Sequence, residues 1–363
     1  MKMIYVGSLA TAPDRDSNWI AAFKKLGCDV IPFGTQPEIN QAGLGGRICR
    51  RLNIGRVNKQ MQQALLELAD LELPAWIHFR LPIEFDRKTI QALKNKNIIV
   101  THYFNDDPFS KRGPFGLHWK FRHALTAYDA HFVYRAHNIK SYQKAGASHV
   151  EHCPPTYDPQ RHFISGSRPD ASGYLADAAF IGHWENDWRV ECLDALKHNG
   201  YSVILKGSMW DPAIRGHEIG SLAPILPAFG AEYNHIYSHV VAGLCFFSKI
   251  NNDSWTERAL EIIAVGGVLV CERTDEAQSF FNDGEEAYFF SSIGELIDIV
   301  KELKSNPGNR EKVRAAGYAR LLKGANTIND RALQVYKYVE NKINAAGKNE
   351  QSPVQENIQG NLQ

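Results

Sequence analysis

Residues 243–271 read GLCFFSKINNDSWTERALEIIAVGGVLVC and contain, in order, a strand, a loop, a helix and a second strand. The apolar run Gly243–Phe247 is typical of a strand that is buried on both faces, and Trp255–Val265 has the apolar spacing of an amphipathic helix. Two glycines end that helix, and Val268–Cys271 is again apolar. A strand, helix, strand unit of this kind predicts a parallel sheet covered by helices.

The same alternation extends outward along the chain. In the first half, apolar runs predict strands at Met3–Val6, Cys28–Phe33, Ala75–Phe79, Ile98–Phe104 and His131–Tyr134. Residues 164–177 have the Gly, Ser, Pro and Asp content of a linker, and strands restart at Ala178–Gly182 and Ser202–Lys206. We therefore predict an α/β chain with two Rossmann-like domains, 1–163 and 178–325, whose doubly wound parallel sheets face each other across a cleft. We expect a terminal helix, 326–345, to cross back to the first domain and the tail 346–363 to be disordered.

Composition narrows the function classes. With 41 basic and 40 acidic residues in 363, the chain has none of the basic excess expected of a nucleic-acid partner. No apolar stretch approaches the roughly 20 residues that cross a bilayer, so we expect no membrane-spanning helix. The six cysteines are scattered without a CxxC pair, which favours a reducing, cytoplasmic location. The 14 histidines include no HExxH or comparable spacing, so no metal site is predicted.

A basic run lies between the second and third predicted strands. It consists of Arg47, Arg50, Arg51, Arg56 and Lys59, with no acidic residue among them. Such a run is typical of a solvated loop and helix face, and the alternative is a surface for an anionic acceptor or for peripheral contact with a membrane.

Ligands of open α/β sheets bind beyond the carboxyl ends of the strands, where helix amino ends offer free amides. The helix of the opening stretch begins at such a place, so its amino end is predicted to stabilise an anion such as a diphosphate. Arg258 can hold a phosphate oxygen, and Glu261, further into the helix, can accept the hydroxyls of a ribose. The alternative is purely structural, with Ser254 and Glu257 as a capping box and Arg258 paired to Glu261 or Ser254.

Two further loops carry candidate residues. Gly182 ends a predicted strand and allows close backbone approach to a diphosphate, whose charge Arg189 would offset; Lys206 ends the next strand as a second cation. The alternative for Arg189 is a surface ion pair, and the alternative for Lys206 is a solvated strand end. In the first domain, Asp106 and Asp107 follow a strand, and paired acids suit general-base work on an acceptor hydroxyl. His102 is a rival base, and a plain Asn, Asp and Pro turn is the structural alternative.

These motifs resemble the glycosyltransferase-1-like domain of the CgeB group of GT-B glycosyltransferases. The matching residues are Thr256, Arg258, Glu261, Ala264 and Gly266-Gly267, together with Phe180-Ile181-Gly182 and Arg189, Gly207 with Trp210, and Asp107-Pro108. The resemblance implies the GT-B fold, with a nucleotide-sugar donor held in the second domain by Gly182, Arg189, Lys206, Thr256, Arg258 and Glu261. It implies transfer to a glycan, lipid-linked or protein acceptor, no cofactor besides the donor substrate, and no bound metal.

Many retaining GT-B enzymes carry two acids separated by seven residues, a spacing matched here by Asp253 and Glu261. The resemblance therefore implies that Asp253 contacts the transferred sugar, although Asp replaces the usual Glu. Two other functions are weighed against the transferase. A nicotinamide-dependent dehydrogenase would need GxGxxG after a strand, which the Gly7-Ser8 turn lacks. A non-catalytic GT-B shell that binds a nucleotide-sugar or a protein partner remains an alternative.

Overall fold

The computed structural model describes residues 1–9, 15–35, 55–110, 118–164, 166 and 173–350. Within these ranges the first domain has a sheet of six parallel strands in the order β2-β1-β3-β4-β5-β6. The strands are β1 Lys2–Gly7, β2 Asp29–Gly34, β3 Trp76–Arg80, β4 Ile99–Phe104, β5 Ala130–Val133 and β6 Val150–His152. The helices are α1 Arg15–Lys25, α2 Arg56–Glu72, α3 Arg87–Lys94, α4 Trp119–Ala124 and α5 Asn138–Lys144.

The second domain has, in the described ranges, a five-stranded parallel sheet in the order β11-β10-β9-β7-β8. Its strands are β7 Ala176–Ile181, β8 Val203–Lys206, β9 Val240–Cys245, β10 Leu269–Glu272 and β11 Tyr288–Phe290. Its helices are α6 Arg189–His198, α7 Gly230–Ser238, α8 Glu257–Ala264, α9 Asp275–Phe280, α10 Ile293–Ser305 and α11 Pro307–Lys323. The predicted strand, helix, strand unit of residues 243–271 is confirmed as β9, α8 and β10, with bounds that differ by a few residues.

Alternation along the strands divides each core into two layers. In β1, Ile4 and Val6 pack on one face of the sheet while Met3 and Tyr5 pack on the other, and all four are fully or almost fully buried. The second sheet is likewise covered on both faces. Because side chains alternate across a strand, a strand buried on both sides has to be apolar throughout. The predicted fold of two doubly wound α/β domains is confirmed.

A long terminal helix, α12 (Ile328–Glu350), follows the second domain. Its buried residues Ala332, Val335 and Val339 share a core cluster with Trp19 and Phe23 of α1, so this helix packs on the first domain. Next to this helix, the segment that leaves the first domain contacts the segment that returns to it. The Tyr157 amide donates to the Asn326 carbonyl at 3.0 Å, and Tyr157 pairs with Thr327 in a parallel bridge.

Some predictions fall partly outside the described residues. Arg47, Arg50 and Arg51 lie outside them, whereas Arg56 and Lys59 are exposed in the first turn of α2. In the predicted linker, residues 165 and 167–172 lie outside. The helix α12 runs through the first part of the tail for which disorder was predicted, and 351–363 lie outside. Among the helices that the structure describes, none combines the length and apolarity needed to cross a bilayer.

The docking of α12 on the first domain yields a stability prediction. Val335 is 0% exposed, so Val335→Asp would bury a carboxylate without a partner. We expect a thermal unfolding midpoint lower by several degrees, because an unpaired buried charge is among the most destabilising changes. The control is Lys337→Asp, an exposed position on the same helix. Equal midpoints for the two variants, measured by circular dichroism, would contradict this packing.

Three histidines lie in the first core on adjacent strands. His78, His102 and His131 are all 0% exposed, and His102 Nε2 lies 2.7 Å from His131 Nδ1. Burial lowers the pKa of His78 and of His131 to about 3, with help from Arg80 and from His149 respectively, and lowers the pKa of His102 well below its usual range. All three are therefore neutral in the folded protein at neutral pH.

Acid should destabilise the protein through these groups. Their folded pKa values lie below the ordinary value near 6.5, so the unfolded chain binds more protons as the pH falls from about 6.5 towards 3. Each such proton lowers the free energy of unfolding by about 1.4 kcal/mol per pH unit. We expect His78→Phe, placed among Tyr5, Trp19, Phe23 and Trp76, to reduce the pH slope by close to one proton. Urea unfolding between pH 7 and pH 4 measures the slope, and an unchanged slope would contradict the assignment.

Candidate functional site

The carboxyl ends of the two sheets face each other across a cleft of about 480 Å³. Its wall on the first domain comes from α1 and the end of β3, and its wall on the second domain comes from the ends of β7 and β8 and from α7 and α8. The lining residues are Asn18, Trp19, Arg80, Thr156, Asp158, Arg161, His162, Ile181, Gly182, His183, Gly207, Ser208, Pro227, Ala228, Phe229, Gly230, Tyr233, Glu257, Arg258, Glu261 and Ile328. The structure therefore brings Gly182, Arg258 and Glu261 together, as predicted from the sequence.

Glu261 is held in a defined orientation at the cleft. The Tyr233 hydroxyl donates to Glu261 Oε2 at 2.7 Å, and His162 Nε2 lies 3.7 Å from Glu261 Oε1. The side chain of Glu261 is 15% exposed, so the carboxylate is partly open to the cleft. Burial and the nearby Glu261 carboxylate raise the pKa of Tyr233 well above its usual range, so its hydroxyl stays protonated. A carboxylate fixed in this way can accept hydrogen bonds from a diol.

Arg258 lies one turn before Glu261 and projects toward the end of β7. Its guanidinium lies 5.3 Å from the Phe180 ring centroid, and its buried Nε has no hydrogen-bond partner among the described residues. Burial acts to lower the pKa of Arg258, but Tyr237, Tyr233, Cys245 and Glu261 together raise it above its usual range. Arg258 is therefore a charged side chain that lines the cleft and has donor capacity that the described residues do not use.

Two glycines allow the strand ends to approach this cation closely. A Cβ at Gly182 would lie 3.1 Å from Arg258 Nη2, and a Cβ at Gly207 would lie 1.8 Å from the Gly182 carbonyl oxygen. Gly207 also has φ +144°, which side chains rarely tolerate. Trp210, which could have been a base-stacking residue, is 1% exposed and donates from Nε1 to the Gly182 carbonyl at 2.7 Å. It therefore supports the turn from within the core.

The amino end of α8 differs from the capping box considered above. The residue in the N-cap position is Thr256, which makes no side-chain cap bond, and its Oγ1 lies 3.5 Å from Cys245 Sγ. The Ser254 hydroxyl instead donates to Glu276 of α9. The capping-box alternative is wrong, because Ser254 lies too early to cap this helix.

The other predicted cations of the second domain are paired within it. Arg189 is 3% exposed and donates from Nε and Nη2 to Asp187 at 2.7 and 2.6 Å, and from Nη1 to the His183 carbonyl at 2.8 Å. Lys206 Nζ lies 2.9 Å from Glu232. Neither side chain lines the cleft; Arg189 instead fixes the turn that carries Gly182.

The acidic pair of the first domain lies at the domain boundary. Asp107 is 3% exposed and accepts hydrogen bonds from Asn252 Nδ2 at 2.7 Å, from Asn138 Nδ2 at 2.9 Å and from the Phe109 amide at 2.9 Å. Burial acts to raise its pKa, but His137 and these donors outweigh it and hold the pKa well below the usual range. Asp107 is therefore a weak base in this arrangement. Asp106, next to it, is half-buried.

Asp253 pairs with a cation that the sequence reading missed. Arg135, 2% exposed at the end of β5, donates from Nε to Asp253 Oδ1 at 2.7 Å and from Nη1 to the Asn105 carbonyl at 2.8 Å. One residue earlier, the Tyr134 hydroxyl accepts a hydrogen bond from the Glu257 amide at 3.2 Å. Burial raises the pKa of Asp253, and Arg135 opposes that rise.

These contacts join the two domains beside the cleft. We call them the interdomain latch: Tyr134, Arg135 and Asp107 of the first domain against Asn252, Asp253 and Glu257 of the second. Asp107 and Asp253 thus belong to the latch rather than to the cleft wall. In the described part of the chain, no three His, Cys, Asp or Glu side chains are grouped so as to hold a metal ion.

Four functional side chains were not singled out from the sequence. Arg80 and Arg135 directly end or follow strands β3 and β5, so listing the polar residue at every strand end would have found them. Tyr233 and His162 contact Glu261 from α7 and from the connecting segment, and no local pattern indicates either contact.

Comparisons with known proteins agree with this geometry. A family model described as glycosyl transferase-like matches residues 189–337. The fold is similar to sucrose-phosphate synthase from Thermosynechococcus elongatus, with TM-score 0.69 and 12% identity over 95% of this chain and 100% of that chain. It is also similar to Anabaena HepE in complex with UDP, with TM-score 0.61 and 12% identity over 94% and 100% of the two chains. A glycosyltransferase from Rickettsia africae gives TM-score 0.62 and 13% identity over 93% and 98%.

No curated protein sequence matches this chain significantly. The structural similarities establish the GT-B fold for the chain, and the family match covers most of the second domain together with part of α12.

The latch predicts a strong coupling between two distant residues. Arg135→Met leaves the Asp253 carboxylate buried without its cation, which should lower the free energy of unfolding by about 3–5 kcal/mol. Asp253→Asn in the same protein removes the stranded charge, so the double variant should be more stable than Arg135→Met alone. A double-mutant cycle by urea unfolding measures the coupling. Additive effects would show that the pair does not interact.

Proposed function

We propose that this protein is a glycosyltransferase that moves a sugar from a nucleotide-sugar donor to an acceptor hydroxyl. The observation that carries the proposal is that one wall of the cleft holds both Arg258, whose Nε has no hydrogen-bond partner among the described residues, and the oriented Glu261 carboxylate. A cation and a carboxylate one turn apart fit the two parts of a nucleoside diphosphate that differ most in charge: the diphosphate and the ribose diol. The family match and the GT-B fold support the same reaction class.

The donor is proposed to lie with its diphosphate against the amino end of α8 and Gly182, and with its ribose at Glu261. Arg258 binds the phosphate oxygens, and the helix amino end adds its partial positive charge. UDP is the first nucleotide to test, since structures of similar fold hold UDP or UDP-glucose. We further propose that this chain is closely related to the CgeB-like group, because it carries that group's motif, which includes Thr256.

The reaction is attack by the acceptor hydroxyl on the anomeric carbon, with cleavage of the bond to the diphosphate oxygen. Negative charge grows on the leaving phosphate, and a preorganised cation lowers the barrier most where charge develops. We propose that Arg258 and the α8 amino end supply this stabilisation without a metal ion and without a further cofactor. Arg189 acts by fixing the Gly182 turn, while Lys206 is proposed to reach the donor only by leaving Glu232.

The acids are assigned by position. Asp253 is proposed to contact the transferred sugar near the latch, and Asp106 or Asp107 to assist the acceptor hydroxyl from the first domain. The acceptor is proposed to be a glycan, a lipid-linked sugar or a protein in the cytoplasm, and exposed Arg56 and Lys59 are proposed to guide a membrane-bound or anionic acceptor.

One observation favours a second candidate, the non-catalytic shell that binds a nucleotide-sugar. Two of the acids proposed to assist the reaction, Asp107 and Asp253, are already held by latch partners. Donor hydrolysis or transfer separates the two functions, because a binding shell takes up UDP without turning over UDP-glucose.

The donor site is tested by calorimetric titration of UDP and uridine. Arg258→Gln should weaken UDP binding at least tenfold and leave uridine unchanged, because a charged hydrogen bond contributes about 1.5–3 kcal/mol. Glu261→Gln should weaken both ligands and reduce the preference for UDP over its 2′-deoxy form.

Glu191→Gln, an exposed position on α6, is the control. Wild-type protein that binds no uridine nucleotide would contradict the proposed donor, and an unchanged Arg258→Gln would remove Arg258 from the site.

A further inference from the structure

Arg80 is a further cation of the cleft beside Arg258 and Arg161, and it comes from the first domain. It is the last residue of β3 and lines the same cleft as Arg258 and Gly182. Its side chain is 13% exposed. None of the sequence motifs includes it, and the donor site described above uses only residues of the second domain.

Most of the hydrogen-bonding capacity of Arg80 is unused. A guanidinium carries five N–H donors in a planar fork. Nη1 donates to Asp16 Oδ1 at 2.8 Å, whereas the buried Nε has no partner among the described residues. Asp16 is shared, because it also accepts from the Tyr5 hydroxyl at 2.8 Å and from the Ser8 amide at 2.7 Å. The Asp16 carboxylate therefore accepts from three donors and pairs with only part of the Arg80 guanidinium.

Arg80 lines the same cleft as Glu257 and Arg258, the first two residues of α8. Burial acts to lower its pKa, but Asp16, Tyr5 and Glu257, the first residue of α8, raise it above its usual range, so Arg80 stays charged. Both arginines therefore border the space at the start of this helix that is open to a ligand. Buried polar groups are normally satisfied, so open donors on a charged side chain indicate a ligand.

We propose that Arg80 binds the diphosphate of the donor from the first domain, opposite Arg258. The proposal rests on the proposed function and extends it. One arginine from each domain then binds the phosphate oxyanions. Arg80 supplies the positive charge that the sequence had led us to expect from Arg189 and Lys206. Those two side chains are paired with Asp187 and Glu232 instead. Donor binding then requires both domains and stabilises the closed cleft.

The test is calorimetric titration of Arg80→Met with UDP and with uridine. We expect UDP to bind at least tenfold more weakly and uridine to bind unchanged, because only UDP carries the oxyanions. The matched control is Arg87→Met, a first-domain arginine whose Nη1 donates to Thr126 in an exposed contact. UDP affinity in Arg80→Met equal to that of wild type would overturn the proposal.

The double variant Asp16→Asn/Arg80→Met distinguishes phosphate binding from a purely structural role, in which Arg80 only neutralises Asp16. Removing both charges relieves the unpaired Asp16, so a structural role predicts recovered UDP affinity together with recovered stability. We expect the melting temperature to recover and the UDP affinity to stay low. Recovery of both would overturn the proposal.

The alternative ligand for Arg80 is a phosphate group on the acceptor, which presents the same kind of oxyanion. Inorganic phosphate titrated into the UDP-saturated protein tests it, and we expect no binding that depends on Arg80. Phosphate binding that Arg80→Met abolishes, with UDP affinity unchanged, would transfer Arg80 to the acceptor and overturn the donor assignment. If wild type binds UDP and Arg258→Gln weakens it while Arg80→Met does not, only the role of Arg80 fails.

Discussion

The parallel direction of the strands in each sheet determines where everything else lies. Every strand ends at the same edge of its sheet, so every loop that follows a strand is delivered to that edge. Because the two edges face each other, Arg80 at the end of β3 and Gly182 after β7 line one cleft although they belong to different domains. The amino end of α8 lines the same cleft, and its polarity favours the negative charge that Arg80 and Arg258 would share.

The fold and part of the site follow from the sequence because they depend on local patterns. Apolar runs, glycine stops and helical spacing are short-range signals, and they identified both sheets, α8 and the group Gly182, Arg258 and Glu261. The short strand β11 was not predicted, since three residues provide too little periodicity. For Trp210, which follows a strand, packing was favoured over stacking on a base, and its burial agrees with packing.

The rest of the site depends on contacts that no local pattern encodes. Arg135 and Asp253 are separated by 118 positions, and Asn252 and Asp107 by 145. Sequence spacing suggested acids with open carboxylates, whereas folding supplied each with a partner from the other domain. Conversely, Arg189 and Lys206 looked like ligand-binding cations because the acids that pair with them, Asp187 and Glu232, cannot be assigned to them before the turns and helices are placed.

The chain passes between the domains twice, and Tyr157 ties the outgoing passage to the returning one beside Asn326 and Thr327. A rotation of one domain relative to the other at these crossings would keep the contact of Tyr157 with Asn326, whereas pulling the crossings apart would break it. Widening of the cleft would also have to separate Arg135 from Asp253, because this pair joins the two domains. The two crossings and the latch together therefore oppose a change in the width of the cleft.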